Sequence, residues 1–259
     1  MDIVCIKVGG STLDAPGFFK DFGASVSAIA KTHFPIIIHG GGKDIARQLD
    51  LQKKEYKFIE GMRVTDADTV GVVQMVLSGD VNKRITNALL LAGVKAIGIS
   101  GVDADFLTAS RMTVKGQDIG FVGKIDKVDT TIISICKENN IIPVVSPISR
   151  DKNGNIYNVN ADLAASEVAK ALGAKHLVFV SDVPGVLIDG KVNPCIRTLE
   201  IENFIASQHI KGGMIPKVRG AKESVESGIQ QVHICGWYGK DTLKNELSQG
   251  NATGTIICK

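Results

Sequence analysis

Apolar and polar residues alternate along this chain with two different periods. Short apolar runs rich in β-branched residues are typical of strands buried on both faces, and longer segments with apolar residues every three or four positions are typical of amphipathic helices. This alternation predicts an α/β fold in which an open, mostly parallel sheet is sandwiched between helices, a three-layer αβα arrangement. The predicted strands are residues 3–8, 35–39, 96–99, 141–145, 176–180, 231–234 and 254–257. The predicted helices are residues 18–31, 70–77, 82–91, 130–138, 162–172, 200–207 and 218–227, with one more beginning near residue 43 and a last one before residue 254.

A single domain over residues 1–259, divided into two lobes, accounts for the whole pattern. An Asn-Gly pair within residues 150–155 stands between two strand-like stretches, which is typical of a hairpin turn. We place the boundary at this turn, between an N-terminal lobe of residues 1–150 and a C-terminal lobe of residues 151–259.

Composition and charge favour an enzyme that acts on small molecules. The chain has 30 basic and 27 acidic residues, and its formal net charge of +3 gives no reason to expect binding to nucleic acid or to an anionic membrane. No stretch reaches the ~18 apolar residues that a membrane span needs. Residues 1–8 also lack the basic start and long apolar core of a signal peptide. We therefore expect a cytoplasmic protein.

The cysteines suggest neither a metal site nor a disulfide framework. The chain has no Cys-x-x-Cys pair, and its cysteines have no neighbouring histidines at the intervals of zinc ligands. We expect reduced and mostly buried thiols at the five positions, which are Cys5, Cys136, Cys195, Cys235 and Cys258.

Glycines next to lysines suggest phosphoryl transfer. Lys7 precedes Gly9-Gly10 at the end of the first predicted strand, residues 40–42 are three glycines after the second, and Lys217 follows a Gly-Gly pair. A migrating phosphoryl group needs fixed cations and backbone N–H groups that no Cβ keeps at a distance. The ends of parallel strands share one edge of a sheet, so residues 9–10, 40–42 and 181–183, each after a predicted strand, are expected to converge there. The glycines at residues 40–42 do not form a P-loop, because Ile37 stands where its first glycine belongs and Asp44 where it needs Ser or Thr.

Eight short motifs extend this pattern over most of the chain. They lie at residues 7–10, 39–42, 61–66, 81–83, 120–123, 157–162, 181–186 and 212–217. Through the order and spacing of these motifs, the chain resembles the amino acid kinase family over nearly its whole length. Within that family it is most similar to the branch whose acceptor is N-acetyl-L-glutamate.

The resemblance implies an activity and three catalytic residues. The activity is ATP-dependent phosphorylation of the side-chain carboxylate of N-acetyl-L-glutamate to N-acetyl-L-glutamyl 5-phosphate, an early step of arginine biosynthesis. Lys7 and Lys217 would stabilise the transferring phosphoryl group, and Asp162 would hold both ammonium groups in place. From the residues alone, Asp162 is equally compatible with a helix cap or a dipole partner. The acceptor carboxylate is already ionised at neutral pH, so no general base is needed and the five histidines are expected to be structural.

The resemblance also implies residues that bind the acceptor. An arginine such as Arg63 binds a carboxylate through its planar fork, although a lone exposed arginine is usually just solvated. Asn158 and Asn160 alternate along an extended stretch, and their amides suit an acetamido group, although turn chemistry explains either one equally well. The implied set is Gly10, Gly41, Gly42, Arg63, Asn158 and Asn160.

The resemblance implies ATP as the cofactor, together with Mg²⁺ that is held mainly by the phosphates of ATP. No protein metal ligand is expected, because the sequence has no Asp-x-Asp or histidine cluster. The N-terminal lobe would bind the acceptor and form the dimer contact, and the C-terminal lobe would bind ATP. The implied ATP-binding residues are Gly9, Ser181, Asp182, Val183, Gly185, Val186, His209, Ile210, Lys211 and Gly213.

Assembly and two alternatives complete the expectations. Arginine-inhibited hexameric members of the family carry a helix before the first strand, and here that strand begins near residue 3, so we expect an arginine-insensitive homodimer. The closest rival function is a kinase of the same family that acts on aminoadipate or glutamate linked to a carrier protein. A non-catalytic amino-acid sensor is a further alternative, disfavoured by the presence of Lys7, Asp162 and Lys217. Residues 235–238, Cys-Gly-Trp-Tyr, depart from the Asp-Gly-Arg sequence expected there.

Overall fold

Strands and helices alternate along the computed structural model, which describes residues 1–248 and 250–259. The strands of the first half are β1 (Asp2–Val8), β2 (His33–His39), β3 (Phe58–Ile59), β4 (Met62–Arg63), β5 (Ala96–Ser100), β6 (Leu107–Val114), β7 (Gln117–Val128), β8 (Ile142–Ser146) and β9 (Ile148–Arg150). Those of the second half are β10 (Ile156–Val159), β11 (His176–Ser181), β12 (Leu187–Ile188), β13 (Lys191–Val192), β14 (Cys195–Arg197), β15 (Gln231–Gly236) and β16 (Thr255–Cys258).

The helices cover both faces of the sheet. They are α1 (Phe18–Ile29), α2 (Gly42–Leu51), α3 (Ala67–Gln74), α4 (Asn82–Leu91), α5 (Thr131–Glu138), α6 (Ala161–Ala171), α7 (Ile201–Ala206), α8 (Met214–Glu226) and α9 (Thr242–Leu247). In the part of the chain that the structure describes, no helix is long and apolar enough to cross a membrane.

The main sheet confirms the predicted fold class. Among the described residues, eight strands form it in the order β14-β16-β15-β11-β1-β2-β8-β5. All neighbouring strands run parallel except β15 and β16, so β14 and β16 run opposite to the other six. The strands that end in the predicted site, β1, β2 and β11, lie side by side in the middle of the sheet.

Alternate residues of the central strands face two separate apolar cores. On β1, Val4 and Ile6 pack into the core that contains Phe22 of α1, and Cys5 packs into the core that contains Val168 of α6. All four of these apolar side chains and the thiol are fully buried. A strand covered on both faces needs apolar residues at every position, which is why residues 3–6 are a continuous apolar run.

A second, smaller sheet was not predicted from the sequence. β6 and β7 pair antiparallel, and together with β9 and β10 they form a closed four-stranded barrel beside the N-terminal half of the main sheet. The hairpin predicted at residues 150–155 is confirmed, because β9 and β10 pair antiparallel with Ile156 opposite Arg150. Many residues of β6 and β7 are polar or exposed, so their apolar period is weak.

Two helix boundaries differ from the prediction. The helices predicted at residues 70–77 and 82–91 are parts of one helical run, in which a π-helical turn, Met75–Val81, joins α3 to α4. The helix predicted to begin at Val218 begins at Met214, which places Lys217 in its first turn. Pro216 is accommodated there because a proline in the first turn removes only an N–H group that has no partner within the helix.

Candidate active site

Two lysines from distant parts of the chain meet at the carboxyl ends of the central strands. The Nζ atom of Lys7, near the end of β1, lies 2.8 Å from Oδ1 of Asp162 in the first turn of α6. The Nζ atom of Lys217, in the first turn of α8, donates a hydrogen bond of 3.1 Å to Oγ of Ser181 at the end of β11. The structure therefore brings Lys7, Asp162 and Lys217 to one edge of the sheet.

Electrostatics connect the three groups. Burial lowers the pKa of Lys217, the negative charge of Asp162 opposes this effect, and the positive charge of Lys7 adds to it. Each lysine therefore experiences the other, and the carboxylate of Asp162 offsets the repulsion between them. The cap of α6 is Asn160, whose Oδ1 accepts from the backbone N–H groups of Asp162 and Leu163 at 2.8 and 3.2 Å. Asp162 does not serve as this cap, which leaves its carboxylate for the lysines.

The backbone conformation or the close packing at this edge of the sheet explains why glycines stand there. Gly10 has a φ of +63°, a left-handed conformation that side chains disfavour. A Cβ on Gly41 would lie 2.7 Å from Cδ2 of Leu77 and 3.1 Å from Cγ2 of Val81, both in the π-helical turn. The N–H of Gly40 is bonded to the carbonyl of Val8 at 2.8 Å, which joins the two glycine segments. Gly42 begins α2, so the glycine loop lies at a helix N-terminus that favours anions.

His39 and Asn82 hold the glycine loop in place through hydrogen bonds. The sequence analysis did not predict this role. His39 is fully buried; its Nδ1 lies 3.0 Å from the carbonyl oxygen of Gly40 and its Nε2 lies 3.2 Å from Nδ2 of Asn82. Burial lowers the pKa of His39 to about 4, so the ring is neutral. A neutral ring with its hydrogen on Nδ1 donates to Gly40 and accepts from Asn82. Asn82 also donates to the backbone carbonyls of Ile99 and Val144, at 3.2 and 2.9 Å.

A sequence signal for Asn82 exists, because it is a polar residue on the apolar side of its helix. It is fully buried, and its neighbours on α4 include the buried Ile85 and Leu89. A buried amide on an apolar face requires hydrogen-bond partners. The pattern predicts that partners exist but does not identify them.

A cavity of about 480 Å³ opens beside Lys7 and Asp162. Its walls come from the glycine loop, from the β3–β4 hairpin and from the segment that ends β10 and begins α6. All the acceptor-binding residues predicted from the sequence line it, together with Lys7 and Asp162, two of the three residues predicted to be catalytic. These are Lys7, Gly10, Gly41, Gly42, Arg63, Asn158, Asn160 and Asp162.

Arg63 is the buried cation of this cavity. Its side chain lies against the rings of Tyr56 and Phe58, with Cζ 4.4 and 4.7 Å from their centroids, and Nη2 donates to the carbonyl of Gly42 at 3.0 Å. Among the described residues, the buried Nη1 has no hydrogen-bond partner. Burial lowers the pKa of Arg63, although a guanidinium stays charged in proteins. A buried, charged donor without a partner is unfavourable, so this geometry fits an anionic ligand in the cavity.

The two asparagines have different local roles. Nδ2 of Asn158 lies 3.3 Å from Oγ1 of Thr65, which itself donates to the carbonyl of Arg63 at 2.8 Å. Asn158 is thus connected to the backbone that carries Arg63. Asn160 uses its Oδ1 as the helix cap, so its Nδ2 is the group that it can direct into the cavity.

The residues predicted to bind ATP are only partly gathered around Lys217. Ser181 contacts Lys217 directly, and Asp182 accepts from Oγ of Ser11 at 3.2 Å. The side chains of Val186 and Ile210 are instead buried in the core, so these two positions could reach a nucleotide only through their backbone. The other predicted positions lie outside the regular strands and helices; His209, Lys211 and Gly213 are exposed, Val183 is half-buried, and Gly9 and Gly185 are buried.

The loop of residues 182–194 is fixed by its neighbours. Oγ1 of Thr255 accepts from the N–H of Val186 at 2.8 Å and donates to the carbonyl of Asn193 at 2.6 Å. Nε2 of His209 lies 3.3 Å from Oδ1 of Asp189, which joins the loop to the segment before α8. The loop that contains the predicted residues 182–186 therefore contacts the predicted segment that begins at His209.

The unexpected Trp237 has a structural role. Its ring packs against Phe18 and Phe22 of α1, with centroids 5.0 and 5.8 Å away. Trp237 therefore packs α1 against the end of β15. Within residues 1–248 and 250–259, no cluster of three or more His, Cys, Asp or Glu side chains is arranged to hold a metal ion.

Comparison with known proteins places this site in a family. The sequence model of the amino acid kinase family matches residues 2–236. An acetylglutamate kinase of Kosmotoga olearia is 40% identical over 253 residues, which cover 97% of this chain and 89% of that protein.

Solved structures share the fold. The Streptococcus mutans UA159 protein smu.665 is 30% identical and superposes with a TM-score of 0.80 over 99% of this chain and 98% of that one. Carbamate kinase of Giardia lamblia bound to AMP-PNP is 19% identical, with a TM-score of 0.72 over 100% of this chain and 98% of that one, and shows the fold alone.

Proposed function

The chain belongs to the amino acid kinase family, and from that membership we propose that it transfers the γ-phosphoryl group of ATP to the side-chain carboxylate of N-acetyl-L-glutamate. The product is N-acetyl-L-glutamyl 5-phosphate, formed in an early step of arginine biosynthesis. Acetylglutamate kinases that are 36–41% identical to most of this chain support the choice of acceptor.

The observation that carries the proposal is the meeting of Lys7, Asp162 and Lys217 beside a cavity that contains Arg63. A kinase for a carboxylate acceptor must bring two anions together, and it needs cations at the transferring group and at the far end of the acceptor. The two lysines supply the first, and the unpartnered Nη1 of Arg63 supplies the second for the α-carboxylate of the acceptor.

The chain's own residues act by positioning and charge. Lys7 and Lys217 stabilise the charge that spreads over the phosphoryl oxygens, and Asp162 fixes their ammonium groups. The backbone N–H groups of the glycine loop bind oxygens of the phosphoryl group and of the reacting carboxylate. The ionised carboxylate attacks phosphorus directly and ADP leaves, so no proton has to be moved.

The side-chain amides of Asn158 and Asn160 bind the acetamido group of the acceptor. Asn158 and the free Nδ2 of Asn160 line the cavity beyond the reacting carboxylate. An amide donates to the acetyl oxygen and accepts from the acetamido N–H. A free amino acid would place an ammonium group there, next to donors that repel it.

ATP enters as its magnesium complex. We expect Mg²⁺ to be held mainly by the phosphates of ATP rather than by protein side chains. When bound, the ion would supply positive charge that neutralises part of the charge of the phosphates. The C-terminal lobe, residues 151–259, holds the nucleotide at Ser181, Asp182 and the loop that follows, with its backbone positions at Gly185, Val186 and residues 209–213.

Two copies of the chain form a homodimer, and the enzyme works in the cytoplasm, where ATP is available for biosynthesis. The dimer contact belongs to the N-terminal lobe, residues 1–150. Exposed apolar side chains support this assignment: Leu90 and Leu91 at the end of α4 are 52% and 82% exposed, and Ile97 on β5 is 38% exposed. The acceptor cavity itself extends beyond residue 150, because Asn158, Asn160 and Asp162 line it.

The test is a comparison of acceptors. ADP release is measured with N-acetylglutamate, glutamate, aspartate, carbamate and uridylate, and acyl phosphate is trapped with hydroxylamine. We expect turnover and hydroxamate with N-acetylglutamate, and a kcat that falls by about 10²–10³-fold in Lys217→Met. The matched control is Lys137→Met, an exposed lysine in the last turn of α5, which should keep wild-type kcat.

Two results would contradict the proposal. Turnover of a carrier-linked aminoadipate or glutamate, without turnover of free N-acetylglutamate, would favour the rival kinase. Binding of N-acetylglutamate by calorimetry without any ADP release would favour a sensor.

A further inference from the structure

Two cysteines that are far apart in the sequence lie side by side on the main sheet. The Sγ atoms of Cys195 and Cys258 are 3.4 Å apart, although 63 positions separate the residues. Cys195 is exposed and Cys258 is half-buried, whereas Cys5, Cys136 and Cys235 are buried. The expectation of mostly buried thiols is therefore correct for three cysteines and wrong for Cys195 and, in part, for Cys258.

The strand pairing explains why they meet. Cys195 is the first residue of β14 and Cys258 is the last residue of β16, and these strands are parallel neighbours with Cys195 opposite Ile256 and Cys258 opposite Arg197. Residues two positions apart on a strand point to the same face, so the two side chains meet diagonally on one face of the pair. Neither cysteine lines the acceptor cavity or contacts the lysines.

Closing the pair to a disulfide requires a small movement at the ends of two strands. β14 is the outermost strand on this side of the sheet in the described part of the chain, and both cysteines are at the ends of their strands. A disulfide needs the sulfurs about 2.05 Å apart and the Cα atoms within about 7 Å. The sulfurs must approach by rather more than 1 Å, which a strand end at the edge of a sheet permits more readily than a central strand.

We propose that Cys195 and Cys258 are a redox site, at which a small disulfide such as oxidised glutathione converts the two thiols into a disulfide between β14 and β16. In the first step one cysteine thiolate attacks a sulfur of oxidised glutathione, its S–S bond breaks, and one glutathione leaves as thiolate and takes up the proton. In the second step the other cysteine attacks the mixed disulfide and releases the second glutathione. Two protein thiols are oxidised, and one molecule of oxidised glutathione is reduced to two of glutathione.

Exposure and ionisation determine how the reaction proceeds. Cys195 is the entry point because it is exposed, and Cys258 then completes the bond from the position next to it. Burial and the contact with Cys258 raise the pKa of Cys195 to about 11. Only a small fraction of this thiol is therefore ionised at neutral pH, and the rate should rise about tenfold per pH unit in that range.

The disulfide would fasten the segment that follows the loop of residues 182–194. Cys195 comes directly after this loop, and the N–H of Ile256 already donates to the carbonyl of Pro194 at 3.0 Å. A covalent bond between β14 and β16 would hold the end of the loop to the same strand that carries Thr255. The redox site does not depend on the proposed function, since its chemistry involves only the two thiols.

The test uses the wild-type protein in buffers of reduced and oxidised glutathione, followed by alkylation of free thiols and peptide mapping without reductant. We expect a peptide pair that joins Cys195 to Cys258 with a mass loss of about 2 Da, while the other three cysteines remain alkylated. Dithiothreitol should restore both thiols. Cys195→Ser and Cys258→Ser each lack one partner, so each should stop at the mixed disulfide with glutathione.

The wild-type protein alone can overturn the proposal, whether or not the variants fold. A glutathione adduct that persists on Cys195 without a link to Cys258 would show that the sulfurs cannot reach each other. Five alkylated thiols in the most oxidising buffer would show that the pair does not react, and a link formed only between two chains would show that the partner thiol is the wrong one.

Discussion

The environment of Arg63 shows why lysine cannot replace every cation of this site. Its guanidinium stacks on Tyr56 and Phe58, donates one hydrogen bond to the carbonyl of Gly42 and leaves Nη1 for a ligand. A lysine has no planar fork for the aromatic faces and cannot form both contacts with fixed geometry.

We therefore expect Arg63→Lys to raise the KM for N-acetylglutamate by about 10–10²-fold, the equivalent of one charged hydrogen bond. The KM for ATP should stay within twofold. The matched control is Arg111→Lys, an exposed arginine of β6 that pairs with Asp118, which should leave both constants unchanged. Steady-state kinetics measure the effect, and equal increases in both KM values would contradict the assignment of Arg63 to the acceptor.

Asp162 opposes the lowered pKa of Lys217. Burial is the largest effect and lowers this pKa, the carboxylate of Asp162 raises it, and the charge of Lys7 lowers it further. Lys217 acts in its charged form, so activity is present below its pKa and is lost as the pH rises through it. In Asp162→Asn the supporting charge is gone, and the pKa of Lys217 falls further.

The alkaline limb of the kcat profile should consequently move to lower pH in Asp162→Asn, together with a decrease in kcat. Lys217→Arg provides the control, because a guanidinium does not titrate in this range and its profile should lose that limb. An alkaline limb at the same pH in wild type and Asp162→Asn would show that another group titrates there.

At the residue scale, the sequence predicted which side chains line the site but not how they are held. Lys7, Arg63 and Asp162 follow from motifs and from the charge that a phosphoryl transfer requires. The buried contact of His39 with Asn82 does not follow, because it joins β2 to α4 across 43 positions and no local pattern encodes the pairing. The meeting of Cys195 and Cys258 depends in the same way on strand order.

The glycine loop and the π-helical turn pack against each other as a unit. A Cβ on Gly41 would press on Leu77 and Val81, whose side chains are buried, whereas the Cβ position of Gly42 is open among the described residues. Crowding a packed core costs about 1–3 kcal/mol. Gly42 lies in the acceptor cavity, so a methyl group there would occupy ligand space.

The two alanine variants should therefore separate stability from binding. Gly41→Ala should lower the Tm by several degrees, at about 2–4 °C per kcal/mol for a chain of this size. Gly42→Ala should keep the Tm and raise the KM for N-acetylglutamate. Thermal unfolding and kinetics on both variants measure this, and a Tm that falls equally in both would contradict the packing argument.

Thr255 positions the loop of residues 182–194 through two hydrogen bonds made by one hydroxyl group. Thr255→Val keeps the shape but leaves the buried N–H of Val186 without its acceptor, which costs about 1–3 kcal/mol. Since this loop follows Ser181 and carries Asp182, we expect the KM for ATP to rise about tenfold with no change in the KM for N-acetylglutamate. Thr255→Ser keeps the hydroxyl and should restore wild-type values. A uniform loss of kcat in Thr255→Val would indicate a general structural role instead.

Strands and helices that bury an apolar face were predictable from the sequence. Strands that depend on pairing with other strands were not. α1 has a strong helical period and the central strands are continuous apolar runs, because each packs on a core. β6 and β7 have many polar or exposed residues, and they pair with each other and with β9. α8 begins four residues earlier than predicted, and its first turn accommodates Pro216.

At the scale of the whole molecule, the main sheet has two different edges. β14 forms one edge, and β5 forms the other among the described residues. An edge strand offers unpaired backbone groups to another chain, and apolar side chains beside it favour burial over exposure. The exposed Leu90 and Leu91 lie on α4, which packs against β5, and the exposed Ile97 lies on β5 itself, so we expect a homodimer to form at this edge.

This expectation can be tested by placing a charge at either edge. Leu91→Lys introduces an ammonium group where a dimer would bury it without a partner, and burying an unpaired charge is strongly unfavourable. We expect light scattering to report the mass of one chain for this variant and of two chains for wild type. Leu199→Lys is the matched control, because Leu199 is 84% exposed beside β14 and should leave the dimer intact. A monomer in Leu199→Lys with a dimer in Leu91→Lys would move the interface to the β14 edge, next to the redox site, and would then make oxidation of Cys195 depend on dissociation.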